Sequence, residues 1–277
     1  MQSGAIRPLA NMLPRHLFNA EHEAFRDTVR KFYEKEVVPN IAKYEEQQHV
    51  DRDLWNKAGE MGLLCATMPE EYGGSGVDRL YSMILIEEQA YAMDSSTGFS
   101  LHSDIVANYI NNFGNEEQKK HWISKMVSGE AVTAIAMTEP GTGSDLQAVR
   151  TTAVLEGDEY IINGSKIFIT NGYLCDMAIV VCKTGDSDKG SANLSLILVE
   201  ADRAGFSKGK PLNKIGMKGQ DTCELFFEDV RVPKENLLGT QGMGFFMLMQ
   251  ELAWERMLVA IICQAGAEAA FAHTVQY

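Results

Sequence analysis

The most informative stretch of the chain is Ile135-Ala-Met-Thr-Glu-Pro-Gly-Thr-Gly-Ser-Asp145. An apolar run typical of a buried strand leads directly into a loop of proline, glycine and small hydroxyl residues. Backbone N–H groups in such a loop can approach an anion closely, and the hydroxyls of Thr138 and Ser144 can add donors. A tight turn at the end of a strand explains the same residues equally well.

The surrounding region, from about residue 131 to 240, is predicted to form strands. Seven short segments are rich in β-branched or aromatic residues: 131–138, 151–155, 160–162, 166–170, 177–183, 194–200 and 225–232. Hairpin turns are predicted at Gly157-Asp158 and Asn163-Gly164. Evenly spaced strands without helical crossovers favour an antiparallel barrel or sandwich over a doubly wound parallel sheet.

Helices are predicted on both sides of this region, over 19–130 and 244–277. Asn115 and Gln118 form a capping-box pattern and Gly129 is a typical stop residue, which predicts a helix over 116–128. The C-terminal helix is predicted to bury an apolar face made by Phe245, Leu248, Met249, Leu252, Val259 and Ile262.

Composition excludes several classes of protein. The 277 residues contain 25 Lys+Arg and 38 Asp+Glu, and the resulting net charge of −13 argues against a nucleic-acid-binding protein. The longest apolar run, Met257–Cys263, has seven residues, whereas spanning a bilayer takes about 20. The five cysteines, an odd number without C-x-x-C spacing, argue against a disulfide framework and indicate a reducing compartment. Each cysteine is predicted to be buried, and no signal peptide is predicted because the first 20 residues lack an apolar segment.

Three common catalytic signatures are absent from the sequence: the G-x-x-x-x-G-K-[ST] phosphate loop, H-E-x-x-H and G-x-S-x-G. Gly141-Thr-Gly143 begins like a dinucleotide fingerprint, but Leu146 stands where the third glycine belongs. The six histidines have no metal-ligand spacing, so no metal site is predicted.

Two further features could carry chemistry. In Phe168-Ile-Thr-Asn-Gly172 an aromatic ring stands near a hydroxyl, which suits a planar ligand, although a core strand before an Asn-Gly turn is the alternative. Glu255 falls on the helical face of positions 248, 252, 255, 259 and 262, where loss of hydration would raise its pKa and make it a better base. Glu251 can couple to it; alternatively, Glu255 lies at the edge of the apolar stripe and pairs with a cation such as Arg256.

Taken together, these stretches resemble the flavin-dependent acyl-CoA dehydrogenases. The likeness runs from about residue 19 to 277 and includes 69–76, 135–145, 160–172 and 225–233. The segment around Gln250-Glu-Leu-Ala-Trp-Glu-Arg256 is most similar to the long-chain branch. The resemblance implies an α+β multidomain fold: an N-terminal all-helical domain (1–133), a middle antiparallel β-barrel domain that binds the flavin (134–240), and the first long helix of a C-terminal helical domain (241–277).

The resemblance also implies FAD, with Phe168 stacking on the isoalloxazine and Thr170 near its N5. The implied cofactor-binding residues are Ile135, Ala136, Met137, Thr138, Glu139, Pro140, Gly141, Thr142, Gly143, Ser144, Phe168, Ile169 and Thr170. The implied substrate-binding residues are Ser144, Ser191, Ala192, Phe246, Ala253, Trp254 and Arg256. Glu255, immediately before Arg256, matches the catalytic base of the long-chain and isovaleryl branches, whereas many other relatives place the base in a later loop.

The activity implied is α,β-dehydrogenation of fatty acyl-CoA thioesters to trans-2-enoyl-CoA in fatty acid β-oxidation, on long chains, with electrons passed to electron-transferring flavoprotein. A homo-oligomer, dimer or tetramer, is implied, in the bacterial cytoplasm or alternatively the mitochondrial matrix. Alternative activities are an isovaleryl-type or other short- or branched-chain dehydrogenase and an acyl-CoA oxidase. Relatives continue for roughly 100 residues more, which implies a truncated chain; an inactive fragment that acts only as a binding partner is the non-enzyme alternative.

Overall fold

Helices make up the N-terminal part of the chain in the computed structural model, which describes residues 15–185 and 190–277. They are α1 (Ala20–Phe32), α2 (Ile41–Gln47), α3 (Arg52–Glu60), α4 (Arg79–Tyr91), α5 (Ala107–Phe113) and α6 (Glu116–Ser128). A π-helical turn, Tyr33–Val37, extends α1, and a second, Leu101–Val106, leads into α5. Short 3-10 turns lie at Val38–Asn40 and Glu70–Tyr72.

The helix predicted over 116–128 is confirmed as α6. Its first turn is closed by a reciprocal cap: the Asn115 side chain accepts from the Gln118 N–H at 2.8 Å, and the Gln118 side chain accepts from the Asn115 N–H at 3.0 Å. Gly129 ends the helix at φ 76°, where a Cβ would lie 2.2 Å from the Trp55 carbonyl oxygen. Both the conformation and the close approach therefore require glycine.

The middle of the chain forms one eight-stranded sheet with the pairing order β6-β7-β3-β2-β4-β5-β8, while β1 pairs with β4. The strands are β1 (Thr133–Ala136), β2 (Thr152–Glu156), β3 (Glu159–Thr170), β4 (Met177–Lys183), β5 (Leu194–Glu200), β6 (Phe206–Lys208), β7 (Thr222–Pro233) and β8 (Leu237–Leu238). The predicted multidomain fold with a middle β domain is confirmed. The pairing is antiparallel except that β1 and β2 run parallel to β4.

One predicted turn is wrong. The Gly157-Asp158 turn joins β2 to β3, but Asn163-Gly164 lies inside the continuous strand β3, at a shift in its register with β7. Gly164 has φ 150°, and a Cβ there would lie 2.4 Å from the Thr151 hydroxyl. The Asn-Gly pair therefore marks a β-bulge that brings two backbones together rather than a hairpin.

The described residues form three apolar cores. One lies among the N-terminal helices and another inside the sheet. The third lies between helices and sheet, and it contains Ile135 from β1 together with Met247 and Leu248 from the start of the C-terminal helix. This third core is what positions the C-terminal helix next to the 135–145 segment. Of the five cysteines, four are buried as predicted, whereas Cys263 is exposed.

The C-terminal helix α7 (Gly244–Gln276) has 33 residues, which corresponds to roughly 50 Å. Its predicted apolar face is wrong in part, because Met249, Val259 and Ile262 are 40%, 58% and 42% exposed. The buried residues are Gly244, Met247, Leu248, Glu251, Leu258, Ala265, Ala269 and Ala272. The helix α4 packs along α7, and towards its C-terminal end the buried positions of α7 are all alanines.

By length and composition alone, α7 is apolar enough to cross a membrane, with a mean hydropathy of 1.4 in its best 18-residue window. The sequence contains no uninterrupted apolar run of that length. One helix of this kind is weak evidence for a membrane span, because the core helix of a soluble protein can pass the same test.

Candidate functional site

The two segments predicted to hold a planar cofactor lie side by side. The Ile167 N–H donates to the Thr138 carbonyl oxygen at 2.9 Å, and Lys166 Nζ donates to the Met137 carbonyl oxygen at 3.0 Å. These bonds join the end of β1 to the part of β3 that carries Phe168. The sequence contains both segments, and the sheet brings them together.

Glu139 serves as an internal tie within this region. Its buried carboxylate pairs with Lys166 Nζ at 2.9 Å and accepts from the backbone N–H groups of Arg150 at 2.7 Å and Thr151 at 2.9 Å. Burial opposes ionisation, but the hydrogen bonds from Thr151 and Arg150 and the Lys166 charge hold the pKa of Glu139 below its ordinary value. Its side chain is therefore committed to the fold rather than free for a ligand.

Several other predicted cofactor residues also point inward. Thr142 is buried, and its hydroxyl donates to the Ala148 carbonyl oxygen at 3.0 Å. Ile135 packs in the helix–sheet core, while Ala136 and Ile169 pack inside the sheet. These four positions offer a ligand their backbone but not their side chains.

The outer side of the loop is open. Pro140, Gly141, Gly143 and Ser144 are exposed, and in the described part of the chain no heavy atom lies within 4 Å of a Cβ built on either glycine. Met137 and Thr138 are half-buried at its edge. The loop thus presents bare backbone with space in front of it, as an anion-binding loop requires.

Phe168 is lifted out of the sheet by an irregularity in β3. The register with β7 shifts between Lys166 and Ile169, and Phe168 has φ 61° and a 63% exposed side chain. A positive φ is unusual for an aromatic residue, and such strained positions cluster at functional sites. Thr170 follows as a half-buried residue, so an exposed ring and a hydroxyl lie on the same strand as predicted.

Glu255 is half-buried on α7, and its Oε1 accepts a hydrogen bond from the hydroxyl of Tyr109 at 2.7 Å. One turn earlier, buried Glu251 accepts from Asn112 Nδ2 at 2.8 Å. Burial raises the pKa of Glu255, the Glu251 charge adds to this, and the Tyr109 bond opposes it. No ion pair joins Glu255 to Arg256 among the residues described, so the alternative of a surface pair is not what the structure contains.

The predicted substrate residues on α7 differ in their surroundings. The ring of Trp254 is half-buried beneath the Arg79 guanidinium, 4.2 Å from the ring centroid. Phe246, Ala253 and Arg256 are exposed, and Ala253 lies about 200° around the helix from Glu255. None of these three side chains forms a hydrogen bond or an ion pair with Glu255 among the described residues.

Ser191 and Ala192 lie in a 3-10 turn, Gly190–Asn193, at the start of α7. A Cβ on Gly190 would lie 3.4 Å from Gln147 Oε1, and one on Gly242 would lie 2.7 Å from the Ala192 carbonyl oxygen. The turn therefore lies between Gln147, just after the 135–145 loop, and the residues that lead into α7.

Sequence reasoning missed Tyr109 and Asn112. They are one turn apart on α5, as are Glu251 and Glu255 on α7, so the two helices meet through two matched hydrogen bonds. The available signal was a tyrosine and an asparagine three residues apart on a short helix that also carries Asn108 and Asn111.

Comparisons with known proteins identify the family of this chain. The acyl-CoA dehydrogenase N-terminal domain model matches residues 19–130, and the acyl-CoA dehydrogenase middle domain model matches residues 134–230. The chain is 50% identical to the mitochondrial long-chain specific acyl-CoA dehydrogenase of Sus scrofa, over all of this chain and 65% of that protein. The chain thus spans slightly less than two thirds of this curated relative's length.

Two solved structures are similar over most of the chain. One is an acyl-CoA dehydrogenase from Geobacillus kaustophilus, 48% identical, with a TM-score of 0.93 over 95% of this chain and 69% of that one. Another is an acyl-CoA dehydrogenase complexed with FAD from Bacillus anthracis, 37% identical, with a TM-score of 0.82 over 90% of this chain and 43% of that one. The chain belongs to the acyl-CoA dehydrogenase family.

Proposed function

We propose that this chain carries the flavin-facing and base-bearing parts of an FAD-dependent enzyme that converts long-chain fatty acyl-CoA to trans-2-enoyl-CoA. The observation that carries the proposal is Glu255, a half-buried carboxylate with a raised pKa on the helix whose first turns share a core with β1. Family membership supports the reaction, and the similarity to the long-chain specific enzyme of Sus scrofa supports the substrate.

The residues present fit FAD. Gly141 and Gly143 offer open backbone for phosphate, and the exposed Phe168 ring offers a stacking surface. The half-buried hydroxyls of Thr138 and Thr170 make no hydrogen bond within the described residues, so both are available to a ligand. When bound, FAD supplies the acceptor for the hydride that leaves the β carbon of the substrate.

Glu255 would remove the α-proton of the thioester. An α-proton next to a thioester is weakly acidic, so the base must be strong and shielded from water. Partial burial and the Glu251 charge meet the first need by raising the pKa of Glu255. The apolar core around Met247 and Leu248 meets the second.

The acyl chain and the CoA group would lie on opposite sides of this centre. Leu101, Ile105, Met137 and Phe245 are partly buried against the helix–sheet core and present an apolar surface for the chain. Ser144 is exposed on the loop, and Ser191 and Ala192 lie in a turn that packs against α7, which supports a contact with CoA. Phe246, Ala253 and Arg256 are exposed on the helix that carries Glu255, and we keep them as proposed contacts of the substrate.

The proposal extends to domains, partners and location. We divide the chain at 133 and 240, which is supported by the end of α6 at Ser128, the end of β8 at Leu238 and the start of α7 at Gly244. Electron-transferring flavoprotein would accept the electrons, and the enzyme would work as a homo-oligomer. The relatives include mitochondrial and bacterial proteins; of the two locations we propose the bacterial cytoplasm.

The test is a visible absorption spectrum of the purified chain with added FAD, followed by anaerobic addition of palmitoyl-CoA. We expect a flavin band that is bleached by palmitoyl-CoA and far more slowly by isovaleryl-CoA. Failure of palmitoyl-CoA to bleach bound flavin would contradict the substrate, and failure to bind FAD would contradict the cofactor site of this chain.

The variant Glu255→Gln tests the base. We expect FAD to bind as in the wild type, while reduction by palmitoyl-CoA slows at least about 100-fold, which is the usual contribution of a general base. Glu268→Gln is the matched control, because Glu268 lies on the same helix and also accepts from a tyrosine hydroxyl, that of Tyr91 at 3.0 Å. Near-wild-type reduction in Glu255→Gln would refute the assignment.

A further inference from the structure

The hydrogen bond between Tyr109 and Glu255 is placed to control the carboxylate. The Tyr109 side chain is fully buried, and its hydroxyl approaches Glu255 Oε1 at 2.7 Å. Burial, together with the Glu255 charge, raises the pKa of Tyr109 well above its ordinary value, so the phenol keeps its proton and remains a donor at working pH. Glu255 Oε2 accepts no hydrogen bond from the described residues and is free to take a proton.

The charges around Glu255 leave Tyr109 as its main stabilising contact. On α7, Glu251 lies one turn away and repels the anion, while Arg256 is exposed on another side. From α4, Arg79 stacks on Trp254, and from the π-helical turn before α5, Asp104 is buried against Ser82. Within the described part of the chain, no lysine, arginine or histidine pairs with Glu255.

We propose that Tyr109 is a positioning residue for the base. Its hydroxyl occupies Oε1, which leaves Oε2 to face the substrate, and it favours the ionised form of Glu255 against the effects of burial and Glu251. The role of Glu255 in the reaction rests on the proposed function; the control of its ionisation by Tyr109 does not.

Two substitutions should move the pKa of Glu255 in opposite directions. Tyr109→Phe removes a donor to the anion, so the pKa should rise by about one unit, as expected for a bond to a charged group. Glu251→Gln removes a like charge, so the pKa should fall. If Tyr109 and Glu251 only filled space, neither substitution would shift the pKa of Glu255 in the direction that charge predicts.

Infrared titration of the full chain measures this ionisation without turnover. The stretching band of the protonated Glu255 carboxyl is identified by its loss in Glu255→Gln, and its midpoint is followed against pH in wild type, Tyr109→Phe and Glu251→Gln. Tyr91→Phe is the matched control, because Tyr91 donates to Glu268 on the same helix, about 20 Å further along. We expect no shift of the Glu255 midpoint in this control.

A second readout is the pH dependence of flavin reduction by palmitoyl-CoA. At pH values below the pKa of Glu255, Tyr109→Phe should reduce kcat/KM about tenfold, because a one-unit rise in that pKa lowers the ionised fraction tenfold. At high pH, where Glu255 is ionised in both proteins, the rate of the variant should return to that of the wild type or exceed it. In the Glu255→Gln background, Tyr109→Phe should have no further effect.

The outcomes separate the two proposals. An unchanged or lowered Glu255 midpoint in Tyr109→Phe would overturn the inference, and so would an equal rise in Tyr91→Phe. Full activity of Glu255→Gln would overturn the proposed base while leaving the infrared result for Tyr109 standing. A loss of activity in Tyr109→Phe that is the same at every pH would assign Tyr109 a packing role only.

Discussion

Replacing Lys166 with methionine tests how the 135–145 segment is held against the sheet. Lys166 is fully buried, and its Nζ contacts both Glu139 Oε1 at 2.9 Å and the Met137 carbonyl oxygen at 3.0 Å. Methionine retains most of the volume but leaves the buried Glu139 carboxylate without its counter-ion.

Breaking a buried ion pair by removing one partner costs about 3–5 kcal/mol. The backbone N–H groups of Arg150 and Thr151 still donate to Glu139 in the variant, which points to the lower end, about 3 kcal/mol. With about 2–4 °C of melting temperature per kcal/mol for domains of this size, we expect a decrease of roughly 6–12 °C.

The assay uses circular dichroism to monitor urea and thermal unfolding of Lys166→Met, Glu139→Gln and the double variant. The double variant should lose less than the sum of the single losses, because neither charge is then left buried alone. Lys234→Met is the control, since it breaks the exposed pair with Asp158 and should leave the unfolding midpoint unchanged. A loss below about 1 kcal/mol for Lys166→Met, or strictly additive losses, would refute the reasoning.

Two buried groups should make stability depend on pH with opposite signs. Burial lowers the pKa of His102 to about 4, so its contribution to the free energy of unfolding is fully present above the unfolded value near 6.5. That contribution is lost by about 1.4 kcal/mol per pH unit as pH falls from the unfolded value towards 4. The free energy of unfolding of His102→Gln should lack this slope. Burial raises the pKa of Asp104 to about 7, so its contribution is present below the unfolded value and lost as pH rises through 7. Asp104→Asn should therefore gain stability relative to the wild type at pH 8 but not at pH 4, and an equal effect at both pH values would contradict this.

Short-range patterns in the sequence were sufficient for much of the fold. The α6 helix matches its prediction at both ends, because a capping box and a stop glycine act within one turn of the chain. Strands β4 and β5 also match, since each is a continuous apolar run between polar residues. The two segments proposed to hold the cofactor were recognisable for the same reason: each is contiguous.

Longer-range features needed the tertiary structure. Asn163-Gly164 has the local chemistry of a turn, but pairing with β7 extends the strand through it. Val259 and Ile262 are as apolar as any core residue, yet they lie outside the buried face of α7 and stay exposed.

The sequence by itself determined the family, the reaction class it implies and the identity of Glu255 as the candidate base. Only the tertiary structure decided that Glu139 faces Lys166 instead of a ligand and that Tyr109 donates to Glu255. The physical reason is that 27 and 146 residues separate these partners along the chain. The hydrogen bonds and desolvation that set the pKa of a carboxylate depend on which elements pack against it, which no local pattern specifies.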